Sequence, residues 1–426
     1  MIDIKLFRDN PEIIIESEKK RFKDPANVEK VIKYDKKWRE VKRELDSLRE
    51  ERNKITYEIN DLKKQGEDFS QLIARIKAIK EEIPQKEAME KELLEKREKA
   101  RYIVGNILHE SVPIGEFEDS NKIERTWGKI PKFDFTPKGH VELVQTIDGV
   151  NLDIAAKISG ARTYYLKNDL VLLNFALIQF ALDFLIDKGY TPFITPYFIK
   201  HEVMEKAAEL ADFEEQLYKL EGTDLFLIAT SEQTLAALHI NDVIHVDDLP
   251  LKYTAYSACF RREAGSHGKD TKGIFRIHQF DKVEHYVFCN PEDSWKFHEE
   301  MIEISEDIFQ QLEIPYRIVN IASGEMNDNA AKKYDLEGWF PAQNQYRELV
   351  SCSNCTDYQA RKLNIKYGIR GKERFIVHTL NSTAIATERT ICCLLENHQN
   401  EDGSINIPTA LQNYMKGKKK MSAKTN

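Results

Sequence analysis

The sequence predicts an α+β protein: a long two-helix arm, then a larger body of alternating strands and helices. Three observations carry that reading. From Val31 to Leu62, apolar side chains recur every three and four positions among charged ones, the seam of a coiled coil. A weaker seam from Leu72 to Ile107 follows after a short turn. From about Trp127 the period changes, and strand-like alternation succeeds helical runs with aromatics and glycines throughout. At 426 residues the chain can hold two or three domains and a large core.

In the arm, the first seam comprises Val31, Tyr34, Trp38, Val41, Leu45, Leu48, Arg52, Ile55, Ile59 and Leu62. Gly66 lies near the centre of the turn Lys63–Ser70. The second seam runs through Leu72, Ile76, Ile79, Ile83, Leu93, Ala100, Val104 and Ile107, with Lys86, Glu90 and Arg97 also at seam positions. Pro84 is expected to kink or break that helix. Two helices joined by a short turn pack antiparallel, here over roughly 50 Å. An arm with so little core of its own is either a dimerisation coiled coil or a device for reaching a partner. The expected divisions are an N-terminal domain 1–112 with the arm at about 28–104, a body 113–415, and a basic disordered tail 416–426.

Formal net charge is −8, so the surface as a whole does not advertise nucleic-acid binding. From Val28 to Val104, however, 21 Lys and Arg face 18 Asp and Glu, which leaves −11 for the remainder. A polyanion would prefer the arm. The opening "MIDIKLFRDNPEIII" lacks the apolar run and cleavage site of a secretory signal. The expected setting is the cytoplasm, with the six cysteines as free thiols. The run Leu170–Ile186 is interrupted by Asn174, Gln179 and Asp183 and reads as a buried or interface helix, with no membrane partner.

Four stretches carry chemistry. "CFRREAGSHGKDTKGIFRIHQFDKVEHY", Cys259–Tyr286, reads as a hairpin whose Gly-containing loop is flanked by Arg261 and Arg276. Guanidinium forks suit phosphate or carboxylate oxygens, yet no Walker A spacing is present. Period-two counting puts Arg276, Phe280 and Glu284 in one row, suited to phosphate, ring and amine, and Glu263 can accept from an exocyclic amine. The alternative is a salt-bridged surface hairpin. In "LNSTAIATERTICCLLENHQ", small residues lead into a helix with Arg389 near its start, either pinning a phosphate or capped by Glu388 or Glu396. In "IATSEQTLAAL", Thr230 or Ser231 caps a helix and Glu232 is a first-turn carboxylate. In "RELVSCSNCTDYQARK", Glu348 and Ser351 offer hard oxygens of the kind magnesium accepts with nucleotide phosphates. The lone Cys352–Cys355 pair lacks the second pair of a structural zinc site.

Together these stretches resemble the seryl-tRNA synthetase family of class II aminoacyl-tRNA synthetases, in its eukaryotic cytosolic and archaeal branch. The resemblance spans the opening "MIDIKLFRDNPE", the arm and three motifs in order: "GYTPFITP" with Pro196, the hairpin, and "LNSTAIATERT". It implies an antiparallel sheet flanked by helices behind the coiled-coil arm. It implies ATP-dependent formation of seryl-adenylate and transfer of serine to tRNA(Ser), and to tRNA(Sec) where one exists. Arg261 would hold the serine carboxylate and α-phosphate, and Glu263 the adenine amine. Arg276 and Arg389 would hold the outer phosphates, and adenine would lie between Phe280 and Arg389 beside Ile277. Thr230, Glu232 and Glu284 would surround the serine ammonium, with Asn381 and Thr383 near its hydroxyl. Glu348 and Ser351 would bind Mg2+. Family membership further implies a homodimer in which the arm of one subunit grips tRNA served by the other.

Two other readings stay open on sequence: a ligase that loads a carrier protein, against which the intact arm speaks, and a non-catalytic scaffold, against which Arg261, Arg276, Glu284 and Arg389 speak.

Overall fold

The structure, a computed structural model, describes residues 1–207, 216–263, 270, 272–369 and 371–424. It divides into two units, Met1–Ile107 and Leu108–Asn426. The division falls slightly before the expected 112/113 boundary. Leu108 and Val112 pack with Val319, Ile321 and Met326 and so belong to the larger unit.

The smaller unit is helical: α1 (Ile4–Asp9), α2 (Pro11–Lys20), α3 (Ala26–Gln65) and α4 (Ser70–Ile103). The two long helices pair as the seams require. Leu45, Ile55, Ile79 and Ile83 form their shared core, with Leu48, Ile59, Leu72 and Ile76 packed against it. Gly66 ends α3 at φ 73°, the left-handed conformation that lets the chain reverse. Pro84 does not break the second helix, which continues through it from Ser70 to Ile103.

The polar seam residue Arg97 has a physical explanation. Its guanidinium stacks over Trp38 at 4.7 Å and pairs with Asp35 at 3.0 Å. Asp35 also accepts from Arg8 at 2.8 Å. Burial alone would raise the Asp35 carboxyl, but Arg8 and Arg97 outweigh it and hold it below the ordinary value. Replacing Asp35 by asparagine removes the carboxylate that Arg8, Arg39 and Arg97 share and, among the described residues, leaves Arg97 with Glu98 alone. We expect a loss of about 2 kcal/mol, read as a lower denaturation midpoint. An unchanged midpoint would show that the arginines find other partners.

The larger unit is built on an eight-stranded sheet. Its strands are β1 (Lys122–Trp127), β2 (Thr191–Ile194), β3 (Leu251–Phe260), β4 (Gln279–Cys289), β5 (Tyr316–Asn320), β6 (Lys332–Phe340), β7 (Gln345–Thr356) and β8 (His378–Ala386). Their order is β1-β5-β6-β7-β8-β4-β3-β2. All neighbours are antiparallel except β2 and β3 at one edge. The expected class of fold is therefore the observed one.

Helices α5 (Asp169–Asp187), α6 (Ser294–Gln311) and α7 (Thr387–Asn397) bury apolar faces in one large core with the sheet. α5 is long and apolar enough to cross a membrane by length and composition, but Leu170, Leu173, Leu177, Ala181 and Leu185 are buried in that core. Along β4 the pleat separates two roles. Val283, Val287 and Cys289 enter the large core, while Tyr286 and Phe288 join a second cluster with Leu235, Ala255 and Leu363. Phe280, Lys282 and Glu284, in register with Tyr286, line a cavity.

The tail is a correction. It was expected to be disordered for want of apolar residues, but Met421 is fully buried in the large core. Lys420–Met421 pairs with Ile405–Asn406, and the Lys424 N–H donates to Thr146 O at 2.8 Å.

Candidate active site

Every residue expected to bind serine, ATP or magnesium lines one cavity of about 290 Å³. They are Thr230, Glu232, Arg261, Glu263, Arg276, Ile277, Phe280, Glu284, Glu348, Ser351, Asn381, Thr383 and Arg389. Four segments distant in sequence supply them.

The β3–β4 connection supplies the cations. Arg261 follows β3 directly, its Nε donating to Ala229 O at 3.3 Å and its guanidinium 5.1 Å from the Phe280 ring. Arg276 precedes β4, so it does not share a strand face with Phe280 and Glu284 as period-two counting expected. It reaches the cavity from the loop and pairs with Glu263 at 3.1 Å. The salt bridge of the alternative reading thus exists, but inside the site. Residues 264–269 and 271, the centre of "EAGSHGKDTKG", lie outside the described residues.

The short helix Glu232–Ala236 supplies the next group. Thr230 Oγ1 accepts the Glu232 N–H at 3.1 Å, while Ser231, at the cap position itself, makes no side-chain cap. Glu232 Oε1 accepts from Gln359 at 2.9 Å and Asn381 at 3.1 Å. Burial and the Glu284 carboxylate push the Glu232 carboxyl up to about 7, against the pull of Lys282 and Arg261. Glu284 is buried on the cavity floor and ion-paired with Lys282. Thr383 stands opposite Glu284 on β8, and Asn381 two residues earlier shares its face.

Glu348 and Ser351 are three apart, a spacing that sends side chains to opposite faces of a regular strand. A bulge between Glu348 and Val350 resets the register, so both line the cavity. The Glu348 side chain is 46% exposed, and Arg389, Lys333 and Arg261 hold its carboxyl at about 2. The pair therefore presents one permanent carboxylate and one hydroxyl, hard donors that fit magnesium shared with phosphate oxygens.

Arg389 is the third residue of α7. It is capped by neither Glu388 nor Glu396. It pairs with Glu348 at 3.4 Å and lies 5.2 Å from the Phe275 ring. Glu396 instead accepts from the backbone of His140 and Ala342. Glu388 accepts from Tyr164 Oη at 2.7 Å and from the Asp281 N–H, and burial pushes it up to about 8.

Sequence reasoning missed Phe275, Lys282 and Lys333, all on the cavity wall. Lys282 had a signal, because the counting that joins Phe280 to Glu284 passes through it. Phe275 sits in a loop without periodicity. All six cysteines are buried thiols.

An antiparallel-dominated sheet with two arginines from a hairpin loop and a third at a following helix start defines a class II aminoacyl-tRNA synthetase core. Residues 216–398 match the tRNA synthetase class II core domain (G, H, P, S and T), and residues 1–108 the seryl-tRNA synthetase N-terminal domain. The chain belongs to the seryl-tRNA synthetase family and is an aminoacyl-tRNA ligase. It is 56% identical to the serine–tRNA ligase of Methanosphaera stadtmanae, over all of both chains. It is 48% identical to the cytoplasmic serine–tRNA ligase of Arabidopsis thaliana, over 98% of this chain and 95% of the relative. The crystal structure of seryl-tRNA synthetase from Pyrococcus horikoshii complexed with ATP superposes with a TM-score of 0.96 at 45% identity, covering all of both chains.

Proposed function

We propose that this cavity joins L-serine to ATP as seryl-adenylate and passes serine to the 3′ end of tRNA(Ser), and of tRNA(Sec) where one exists. The observation that carries this reading is the convergence of three arginines, two floor carboxylates and the Glu348–Ser351 pair on one cavity.

The chemistry follows from those groups. The serine carboxylate attacks the α-phosphorus, its new O–P bond forming as the bond to pyrophosphate breaks. No protein nucleophile is required, since charge builds only on phosphoryl oxygens. Arg261, fixed by Ala229 O and Phe280, orients the carboxylate and α-phosphate. Arg276 and Arg389 take the outer phosphates. Adenine lies between Phe280 and Arg389 beside Ile277, with its amine on Glu263. Glu348 and Ser351 would hold Mg2+, which neutralises phosphate charge when bound. Glu284, Glu232 and Thr230 take the ammonium. Asn381 and Thr383 face the hydroxyl, so alanine would leave buried polar groups unpaired, a discrimination of roughly 10⁴-fold in sites of this kind.

The paired helices α3 and α4 present the tRNA-binding arm, and the cytoplasm is the working compartment, as the Arabidopsis relative's name suggests. Phe175 and Ile186 of α5 and Ile194 of edge strand β2 remain exposed, which suits a second copy in a homodimer.

Two assays test the reading together. Pyrophosphate exchange should respond to serine alone among the amino acids. Charging of tRNA(Ser) should collapse when its variable arm is removed. Exchange without charging would point to another acceptor, such as a carrier protein. No exchange with any amino acid would refute the assignment.

A further inference from the structure

Lys282 is one of the charged cavity residues that these roles leave unused. Lys282 lies on β4 between Phe280 and Glu284, 6% exposed, with its ammonium against the Glu284 carboxylate. Lysine is rarely so buried without a reason. The hairpin does not need it, because β4 is paired along its length with β3 and β8. Nor does the pair by itself argue for stability, since apolar side chains of similar volume often serve as well.

The arrangement makes sense as charge balance. Glu232, held by the amides of Gln359 and Asn381, faces the same floor as Glu284. The floor thus holds two carboxylates and one ammonium, with the Arg261 guanidinium beside them assigned to the serine carboxylate and α-phosphate. Two such carboxylates alone would each disfavour ionisation of the other. With Lys282 present, an incoming ammonium completes two cations against two anions.

We propose that Lys282 is a positioning residue that sets the charge state of the amino-acid pocket, keeping Glu232 available as a carboxylate for the substrate ammonium near neutral pH. This rests on the reading of Glu284 and Glu232 as the ammonium site. The other groups facing them include Arg261 and Cys259 at the end of β3, Tyr286 on β4 and Cys352 on β7. The Glu232 carboxyl sits at about 7, raised by burial and Glu284 and lowered by Lys282 and Arg261. A raised carboxyl is anionic above that pH and protonated below it. Taking Lys282 away extends the protonated range upward, and a neutral acid binds an ammonium poorly.

The test is serine-dependent pyrophosphate exchange by the full-length protein across pH values on both sides of neutrality. In the unaltered protein the serine KM should fall as pH rises through about 7. In Lys282→Met the midpoint should move up by about one unit, so that the serine KM at neutral pH rises about fivefold, while the ATP KM stays put. The two proteins should converge at high pH. Lys282→Gln serves if the methionine variant does not fold, and Lys282→Arg should restore the original profile. A midpoint that stays in place in the folded Met or Gln variant, whatever happens to kcat, overturns the proposal. A Glu284→Gln variant with an unchanged serine KM would instead overturn the ammonium reading beneath it.

Discussion

Replacing Arg389 by alanine is expected to lower serine-dependent pyrophosphate exchange by roughly a thousandfold. The residue makes few contacts that hold the fold. Among the described residues it touches Glu348, by side chain and carbonyl, and the Phe275 ring. Its loss should therefore leave the denaturation midpoint nearly unchanged, which separates a catalytic effect from unfolding. The effect is large because, on the proposed reading, the guanidinium meets phosphate charge as it builds. It also carries a second consequence. Arg389 is the foremost of the cations that hold Glu348 at about 2, so its removal weakens the proposed magnesium site as well. Arg389→Lys should recover only part of the rate, since an ammonium supplies charge without the fork. Exchange within a few-fold of the unaltered protein would show that Arg389 is not a phosphate ligand.

Shortening the arm should separate the two half-reactions. Glu44 and Lys86 pair across the two long helices, so excision of Asp46–Pro84 leaves adjacent ends that a glycine-rich turn can close. Pyrophosphate exchange should persist, because every cavity residue lies in the larger unit. Charging of tRNA(Ser) should fall by roughly a thousandfold, about 4 kcal/mol of lost binding. Its salt dependence should flatten too, as fewer phosphates are neutralised. Undiminished charging would remove the arm from tRNA recognition. A shortened protein that is monomeric where the parent is a dimer would favour the coiled coil as the dimerisation element.

What the sequence reveals depends on period. The arm is legible because its seam repeats over many turns, and the exception at Arg97 becomes legible only when Asp35 and Trp38 are seen beside it. The cavity residues are legible as chemistry, since Arg, Glu and Thr stand at unusual places among apolar neighbours. Their mutual geometry is not. Strand counting placed Arg276 on a strand that begins only at Gln279. It would also have sent Glu348 and Ser351 to opposite faces, because a bulge leaves no mark in the residue pattern. Residues whose role comes from a loop, such as Phe275, carry no periodic signal at all.

The burial of Met421 has a bearing on biosynthesis. The arm's helices pair with near neighbours in sequence and can form as soon as they leave the ribosome. The sheet behaves differently: β1 pairs with β5 nearly two hundred residues later, and Met421 fills a place in the main core. The core of the catalytic unit is therefore not complete until Met421 has emerged, whereas the arm has all its pairing partners much earlier in translation.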